Sequence, residues 1–403
     1  MINLEVPKKF TGLVDQAHQV ATEIFRPISR KYDQAEHEYP KELDMLAALI
    51  DGMNDGSDLS GAGAGGVRRT DTNGDGGVRN GSNMSTVLGV IELCWGDVGL
   101  LLSMPRQGLG NSAIASVASD EQLERFAGKW AAMAITEPEA GSDSAAIRTT
   151  AVKDGDDYIL NGEKIYVTSG ERADLVVVWA TLDRELGRAA IKSFVVERSN
   201  PGLKLDRLEH KLGIRASDTA AFILEDCRVP AENLLGNPEI DTKQGFGGVM
   251  QTFDNTRPLV AGMAVGLARA CLEETRRLLD ASGVEINWDA APARQSAVAA
   301  EYLAMEADYE AARLLTLQAA WMADNGKPNS LQASMAKAKA GRSCVDIALR
   351  CVRLCGSIGY SEEQLLEKWA RDAKILDLFE GTQQIQLLII ARQLLGKTSA
   401  ELR

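Results

Sequence analysis

Leu378-Phe379-Glu380-Gly381-Thr382 sets one carboxylate between apolar side chains and a glycine. A carboxyl group desolvated by apolar neighbours has a raised pKa, which suits a general base that takes a proton from carbon. A capped helix end has the same pattern, so the motif alone leaves both readings open. Phe253-Asp254-Asn255-Thr256-Arg257-Pro258 is a second charged break, inside an apolar helical run, with the same two readings. Two other stretches could hold a ligand. Ala134 to Asp143 combines a turn proline, a glycine and small hydroxyl residues. Its backbone N–H groups and hydroxyls could meet ring carbonyls or phosphates, or could simply close a turn. In Gly162 to Gly170, Tyr166 and Thr168 share one strand face because side chains alternate with period two. An aromatic ring beside a hydroxyl could stack on a planar cofactor and hydrogen-bond it, or be an ordinary polar strand face.

Two matches in the Gly-rich stretch 52–83 fail on context. Gly61-Ala62-Gly63-Ala64-Gly65-Gly66 has the GxGxxG spacing, but that fingerprint needs a strand before it and a helix after it. Asn54-Asp55-Gly56-Ser57-Asp58 precedes it and Arg68-Arg69-Thr70-Asp71 follows. Asp71-Thr72-Asn73-Gly74-Asp75-Gly76 resembles the first half of a calcium loop, yet Ser82 stands where the bidentate acid is required. The stretch reads as a mobile, metal-free polar loop. The chain has three His and six Cys without a Cys-x-x-Cys pair, so no metal site and no disulfide framework is expected.

These stretches are carried by three compositional zones. The 403 residues allow two or three domains at ~150 residues each. Residues 1–130 form an interrupted helical zone, with helical spacing at 15–32, 40–50, 85–104 and 120–130. Residues 131–240 contain short strands at 158–160, 164–167, 175–179, 193–196 and 221–224, with Asp154-Gly155 and Asn161-Gly162 as hairpin turns. No helices lie between the strands, so the sheet is antiparallel rather than doubly wound. Residues 241–403 predict helices at 244–282, 293–325, 329–355 and 362–396, the last broken near Gly381, packed as an antiparallel four-helix bundle. The fold class is α+β, mainly α. A net charge of −13 argues against nucleic acid or an anionic membrane surface as partner. No apolar run approaches the ~18 residues of a membrane span and the first residues lack an apolar signal core, so a cytoplasmic protein is expected.

Taken together, five stretches resemble the acyl-CoA dehydrogenases: ITEPEAGSD (135–143), LNGEKIYVTSG (160–170), HKLGIRASDTAAFILEDCRVPAENLLG (210–236), FDNTRPLVAGMAVGLARA (253–270) and RDAKILDLFEGTQQIQ (371–386). Their order and spacing match that family from about residue 121 to 396. The resemblance implies a helical N-terminal domain, a middle β domain and a C-terminal four-helix bundle. It implies FAD-dependent α,β-dehydrogenation of an acyl-CoA thioester: a glutamate takes the α-proton, the β-hydride passes to the flavin, and an electron-transfer flavoprotein takes the electrons.

The glutamate of the family's EGT motif falls on Glu380, while Thr256 occupies the position where some relatives carry the base. The loop from Met133 through Ile135, Thr136 and Gly141 to Ser142 is expected to line the flavin, with Thr136 near its pyrimidine carbonyls and Ser142 touching both ligands. Tyr166 replaces the usual stacking Trp, and Thr168 is expected near N5. Thr382 and Gln384 are expected at the adenosine part, and Asp254, Arg257 and Gly381 at the CoA portion or ordering the site. In the family an Arg-x-x-Phe-Gly segment reaches a neighbouring subunit's FAD; here it falls on Glu285-Ile286-Asn287-Trp288-Asp289, and a Gln that also reaches across becomes Arg353, followed by Cys355-Gly356-Ser357-Ile358-Gly359. The usual assembly is a homotetramer. A mixed α₂β₂ assembly with a related chain that carries the missing arm is the alternative. A flavin oxidase and a non-catalytic partner subunit are the rival functions.

Overall fold

The computed structural model describes residues 6–54, 81–106, 109–240, 247–398 and 401. Nearly all of the Gly-rich stretch, including both of its motif matches, lies outside them apart from Ser82 and the flanking residues. The chain opens with helices α1 (Thr11–Val20), α2 (Arg26–Gln34), α3 (Glu42–Asn54), α4 (Ser82–Gly96), α5 (Val98–Leu102), α6 (Leu109–Val117) and α7 (Asp120–Arg125). Strands β1 (Ala131–Ala134), β2 (Thr150–Asp154), β3 (Asp157–Thr168), β4 (Leu175–Thr181), β5 (Ile191–Glu197), β6 (Leu203–Leu208), β7 (Thr219–Pro230) and β8 (Leu234–Leu235) follow. Long helices close it: α8 (Gly247–Ala281), α9 (Ala297–Asp324), α10 (Ser330–Tyr360), α11 (Leu366–Leu376) and α12 (Gln383–Leu395). The α+β, mainly helical class is as expected.

The sheet runs in the order β6-β7-β3-β2-β4-β5-β8, with β1 on β4. It is not purely antiparallel: β1 lies parallel to β4, and β2 meets β4 in parallel at Thr150 and Thr181. The turn after Asp154 is a hairpin, because Asp154 pairs with Asp157 across it. Asn161-Gly162 is not a turn. β3 runs straight through it with a bulge against β7 between Leu160 and Gly162. Gly162 has φ 155°, and a Cβ there would lie 2.4 Å from the Thr149 hydroxyl, so the glycine serves a close strand approach.

The helices also depart from expectation in places. α6 was not expected, since at nine residues it is too short for its apolar spacing to stand out as a helix. α10 continues past 355 through a kink at Gly356 to Tyr360. The expected 362–396 helix is two helices, separated at 377–382 where a break was expected. One apolar core joins Phe25, Leu88 and Leu100 of the early helices to Leu267, Met305, Ile347 and Trp369 of the late ones. The sheet has its own core around Leu160, Phe194 and Phe222. No helix among the described residues is long and apolar enough to cross a membrane.

One buried charge cluster ties these parts together. The Lys368 ammonium donates to Asp97 and to Asp372, each at 2.6 Å. Asp97 caps α5 by accepting the Leu100 N–H at 2.9 Å. Asp372 accepts the Ile214 N–H at 2.5 Å from the loop between β6 and β7. All three charged side chains are buried. Removing one partner from such a cluster strands the others in low dielectric, at a cost of about 3–5 kcal/mol. Lys368→Met is therefore expected to lower the unfolding free energy by about 3–5 kcal/mol in urea denaturation. A loss below about 1 kcal/mol, the scale of a surface ion pair, would show that the cluster does not hold the parts together.

Candidate active site

α11 ends at Leu376, and the chain turns sharply before α12. The N–H groups of Leu378 and Phe379 both donate to the Ile375 carbonyl, at 2.9 and 3.0 Å. Glu380 and Gly381 then adopt left-handed backbone, with φ 55° and 89°. A non-glycine residue held there costs of order 1–3 kcal/mol, so its surroundings must hold it in place. Gln386 donates to the carbonyls of Glu380 and Gly381 at 3.1 and 3.2 Å, and the Lys337 ammonium donates to Gly381 O at 2.7 Å. A Cβ at 381 would lie 2.4 Å from the Gln386 amide nitrogen, which explains the glycine. Thr382 closes the turn as the cap of α12, its hydroxyl accepting the Ile385 N–H at 3.4 Å.

The turn brings Glu380 against α8. The Thr256 hydroxyl donates to Glu380 Oε2 at 2.9 Å. Arg257, 3% exposed, and the fully buried Lys337 supply positive charge nearby. Glu380 keeps partial solvent access. Burial nonetheless pushes its carboxyl above the ordinary carboxylate value, against the downward pull of the Thr256 hydrogen bond, Arg257 and Lys337. Such a carboxylate can accept a proton from a weakly acidic carbon and share it with little reorganisation. The two positions at which the resemblance allows a base therefore converge here, with Thr256 as donor to Glu380. Asp254 lies on the same helix, outside the residues whose side chains are described.

A second surface forms where β1 leaves the sheet. Lys164, on β3, is fully buried and donates to Glu137 Oε1 at 2.7 Å and to the Ile135 carbonyl at 3.1 Å. Glu137 also accepts the N–H groups of Arg148 and Thr149, at 2.6 and 3.0 Å, and the Thr149 hydroxyl at 2.5 Å. Reciprocal backbone hydrogen bonds between Glu137 and Ala140, each 3.1 Å, close the turn around Pro138. The stretch 134–143 is thus a tied turn that presents Gly141 and Ser142 to solvent. The Ile165 N–H donates to Thr136 O at 2.9 Å, which lays Ile135 and Thr136 beside β3. Tyr166 sits in a bulge with φ 58° and is 62% exposed, and Thr168, two residues on, is partly exposed. Met133 lies partly exposed on β1.

The remaining expected residues are more scattered. Gln384 is exposed at the start of α12. Arg353 on α10 is ion-paired to Glu301 of α9, which also binds Arg350 at 2.8 Å. Glu285 is exposed in the connection after α8. His37 and His210 meet Glu36, with His210 Nδ1 3.0 Å from its carboxylate, and the Lys211 N–H donates to the same carboxylate at 2.8 Å. These hydrogen bonds, on a His210 side chain 82% exposed, account for the cluster as a tie between the segment after α2 and the β6–β7 loop. Glu137, Lys164 and Lys337 were not anticipated as site residues. For Lys164 and Lys337 the one sequence signal is charge within a strand or a helix, and Glu137 lies in the turn after β1.

The Glu137–Lys164 pair yields a pH prediction. Lys164 and its hydrogen-bond donors hold the Glu137 carboxyl below the ordinary range despite burial, while burial pulls the Lys164 ammonium down to about 8. The carboxylate's contribution to stability is thus present above its unfolded pKa of about 4.3 and lost as pH falls through its lower folded value. Glu137→Gln strands the ammonium and is expected to cost about 3–5 kcal/mol at about pH 7. In melts of both proteins the gap should close as pH falls below the carboxylate range. A gap independent of pH contradicts the pairing.

Comparison with known proteins places this geometry in a family. Residues 132–227 match the acyl-CoA dehydrogenase middle domain and residues 243–395 the acyl-CoA dehydrogenase C-terminal domain. The mouse mitochondrial short-chain specific acyl-CoA dehydrogenase is 33% identical, over 98% of this chain and 92% of that protein. The solved butyryl-CoA dehydrogenase of Megasphaera elsdenii is 29% identical with a TM-score of 0.83, covering 98% of this chain and all of that one. A chain in a structure described as the electron transferring flavoprotein of Acidaminococcus fermentans is 31% identical with a TM-score of 0.80, at 98% and 100% coverage. The chain belongs to the acyl-CoA dehydrogenase family and is an oxidoreductase of that flavoprotein family.

Proposed function

We propose that this chain oxidises short-chain acyl-CoA thioesters to their 2-enoyl-CoA products, with FAD as cofactor and Glu380 as the base that takes the α-proton. The observation that carries the reading is the left-handed Glu380, hydrogen-bonded by Thr256 and flanked by the buried Arg257 and Lys337. The names of the mouse and Megasphaera relatives favour a short acyl chain, so butyryl-CoA is the substrate to try first.

The residues beside β3 fit a flavin. Tyr166 offers an exposed ring face, and Thr136, Thr168 and Ser142 offer hydroxyls that solvent reaches. Met133, Ile135 and Gly141 line the same stretch, while Thr382 and Gln384 start α12, where the adenosine part is expected. Bound there, FAD supplies the acceptor for the substrate's β-hydride. The protein's own part is proton transfer. Glu380 Oε2, polarised by Thr256, accepts the α-proton as the thioester carbonyl draws charge away from the α-carbon. Arg257 stabilises the carboxylate before transfer, and Gly381 sets its direction. Asp254 and Ser142 contribute to holding the CoA portion. We assign 1–130 and 241–403 to helical domains around this site and 131–240 to the β domain. Its six thiols, all unpaired, favour a reducing cytoplasm.

An electron-transfer flavoprotein is the acceptor that the Acidaminococcus neighbour favours. Two observations bear on the assembly. Leu387, Leu388, Leu394 and Leu395 of α12 are between 52% and 63% exposed, an apolar set that favours coverage by further chains and hence a homotetramer. The second reading, a mixed α₂β₂ assembly, is favoured by Glu285 at the position of the expected arginine and by the ion pair that engages Arg353 with Glu301. In that reading a related chain supplies the positive arm to the pyrophosphate.

Two outcomes follow. Glu380→Gln should retain FAD and lose at least ~10²–10⁴-fold of its anaerobic reduction rate with butyryl-CoA, since an amide keeps the shape but cannot take a proton. Near-wild-type reduction would remove Glu380 from the role of base. The chain expressed alone should form a tetramer with about one FAD per chain by light scattering and absorbance. Flavin-free chain, loaded only when a homologous chain is co-expressed, would establish the mixed assembly instead.

A further inference from the structure

Three lysines are fully buried in the described structure: Lys164, Lys337 and Lys368. Burying an ammonium is costly unless it is paired. Lys164 has Glu137 at 2.7 Å, and Lys368 has Asp97 and Asp372 at 2.6 Å. Lys337 is different. Among the described residues it makes no ion pair, and its ammonium points to a backbone carbonyl, that of Gly381, at 2.7 Å. Gly381 follows Glu380, and both residues are held in left-handed backbone.

We propose that Lys337 is a positioning residue for proton abstraction: from inside α10 it anchors the Gly381 carbonyl, fixes the direction of the Glu380 side chain, and puts a positive charge behind the base. This rests on the reading of Glu380 as the base. Gln386 shares the Gly381 carbonyl, but it is neutral and lies on α12, the helix that the turn itself begins. Lys337 comes from a different helix, so it ties the turn to the bundle. Its charge also reaches the carboxylate. The charged groups that face Lys337 are Asp377 and Glu380 on the turn and Arg257 on α8. Burial pulls the ammonium down to about 8, Asp377 and Glu380 pull it back up, and Arg257 pushes it further down. In return, the ammonium is one of the influences that lower the Glu380 carboxyl against burial.

Two variants separate anchor from charge. Lys337→Met removes both, and Lys337→Gln keeps a donor for the Gly381 carbonyl without the charge. With holoenzyme and butyryl-CoA, Lys337→Met is expected to slow anaerobic flavin reduction about 10- to 100-fold, the scale of a misaimed catalytic group. Without the ammonium the Glu380 carboxyl rises, so the acid limb of the pH–rate profile should move up by about one pH unit in both variants. Lys337→Gln should recover part of the rate but keep the moved limb. Wild-type rates and an unmoved limb in both variants would overturn the proposal.

A readout without turnover guards against variants that lose flavin or fold poorly. Because the folded ammonium releases its proton near 8 and the unfolded one near 10.5, the unfolded chain holds more protons in between. Wild-type stability should therefore rise with pH across that window relative to Lys337→Gln. A difference that stays flat from about pH 7 to about pH 10 would overturn the buried ammonium itself. Wild-type protein that fails to oxidise acyl-CoA yet shows this slope would count against the dehydrogenase reading and not against the placement of Lys337.

Discussion

Lys368 lies between Asp97 and Asp372, 2.6 Å from a carboxylate oxygen of each, with no solvent to screen any of the three charges. One ammonium against two carboxylates leaves the second acid short of full compensation. Accordingly the Asp372 carboxyl is pushed up by burial and by Asp97 even as Lys368 holds it down. Further donors use the remaining acceptor capacity: the Leu100 N–H and the Ser29 hydroxyl on Asp97, and the Ile214 N–H on Asp372. A side chain from α11 thereby fixes the start of α5 and the loop between β6 and β7. Arg371, three residues on, repeats the arrangement with Asp33 of α2 at 2.6 Å and the Leu212 carbonyl at 3.0 Å. α11 is the common member of both contacts.

That arrangement matters because α11 ends one residue before the turn that carries Glu380. If α11 were free to slide or rotate by one residue, the side chain at 380 would swing by about 100°, the angle between successive residues on a helix, and leave Thr256. The cluster around Lys368 holds one end of the turn, the Thr382 cap holds the other, and Lys337 with Gln386 holds the carbonyls between. Strain at Glu380 is thus spread over partners from α10, α11 and α12. The surface beside β3 proposed for the flavin depends on the same kind of device, since Glu137 and Lys164 fold the 134–143 turn back against the strand that bears Tyr166.

Much of this was legible in the residues themselves. An acid between apolar neighbours before a glycine singled out Glu380 as a candidate, and an aromatic two residues from a hydroxyl singled out Tyr166 and Thr168, although a capped helix end or an ordinary polar strand face stayed open for each until the family resemblance was added. Long apolar periodicity marked α8 to α10, because a bundle face repeats over many turns. The losses have physical causes. Asn161-Gly162 has the composition of a hairpin turn, but its glycine instead relieves a contact with Thr149 across the strands. α6 is only nine residues long, too short a window for a helical period to stand out. Lys164, Lys337 and Lys368 look like solvated charges in one dimension, since the groups that bind them come from other elements. Arg353 looked available to a cofactor because its partner Glu301 lies 52 positions away on another helix.

The central claim is that Glu380 removes a proton from the α-carbon of an acyl-CoA thioester. The measurement closest to that step is exchange of the substrate's α-hydrogen with solvent. Butyryl-CoA incubated anaerobically with the holoenzyme in D₂O, then recovered and weighed by mass spectrometry, is predicted to gain α-deuterium with the wild-type protein. With Glu380→Gln the exchange should be slower by at least ~10²-fold. Equal exchange by the two proteins would contradict the account, because the proton would then be leaving to some other group.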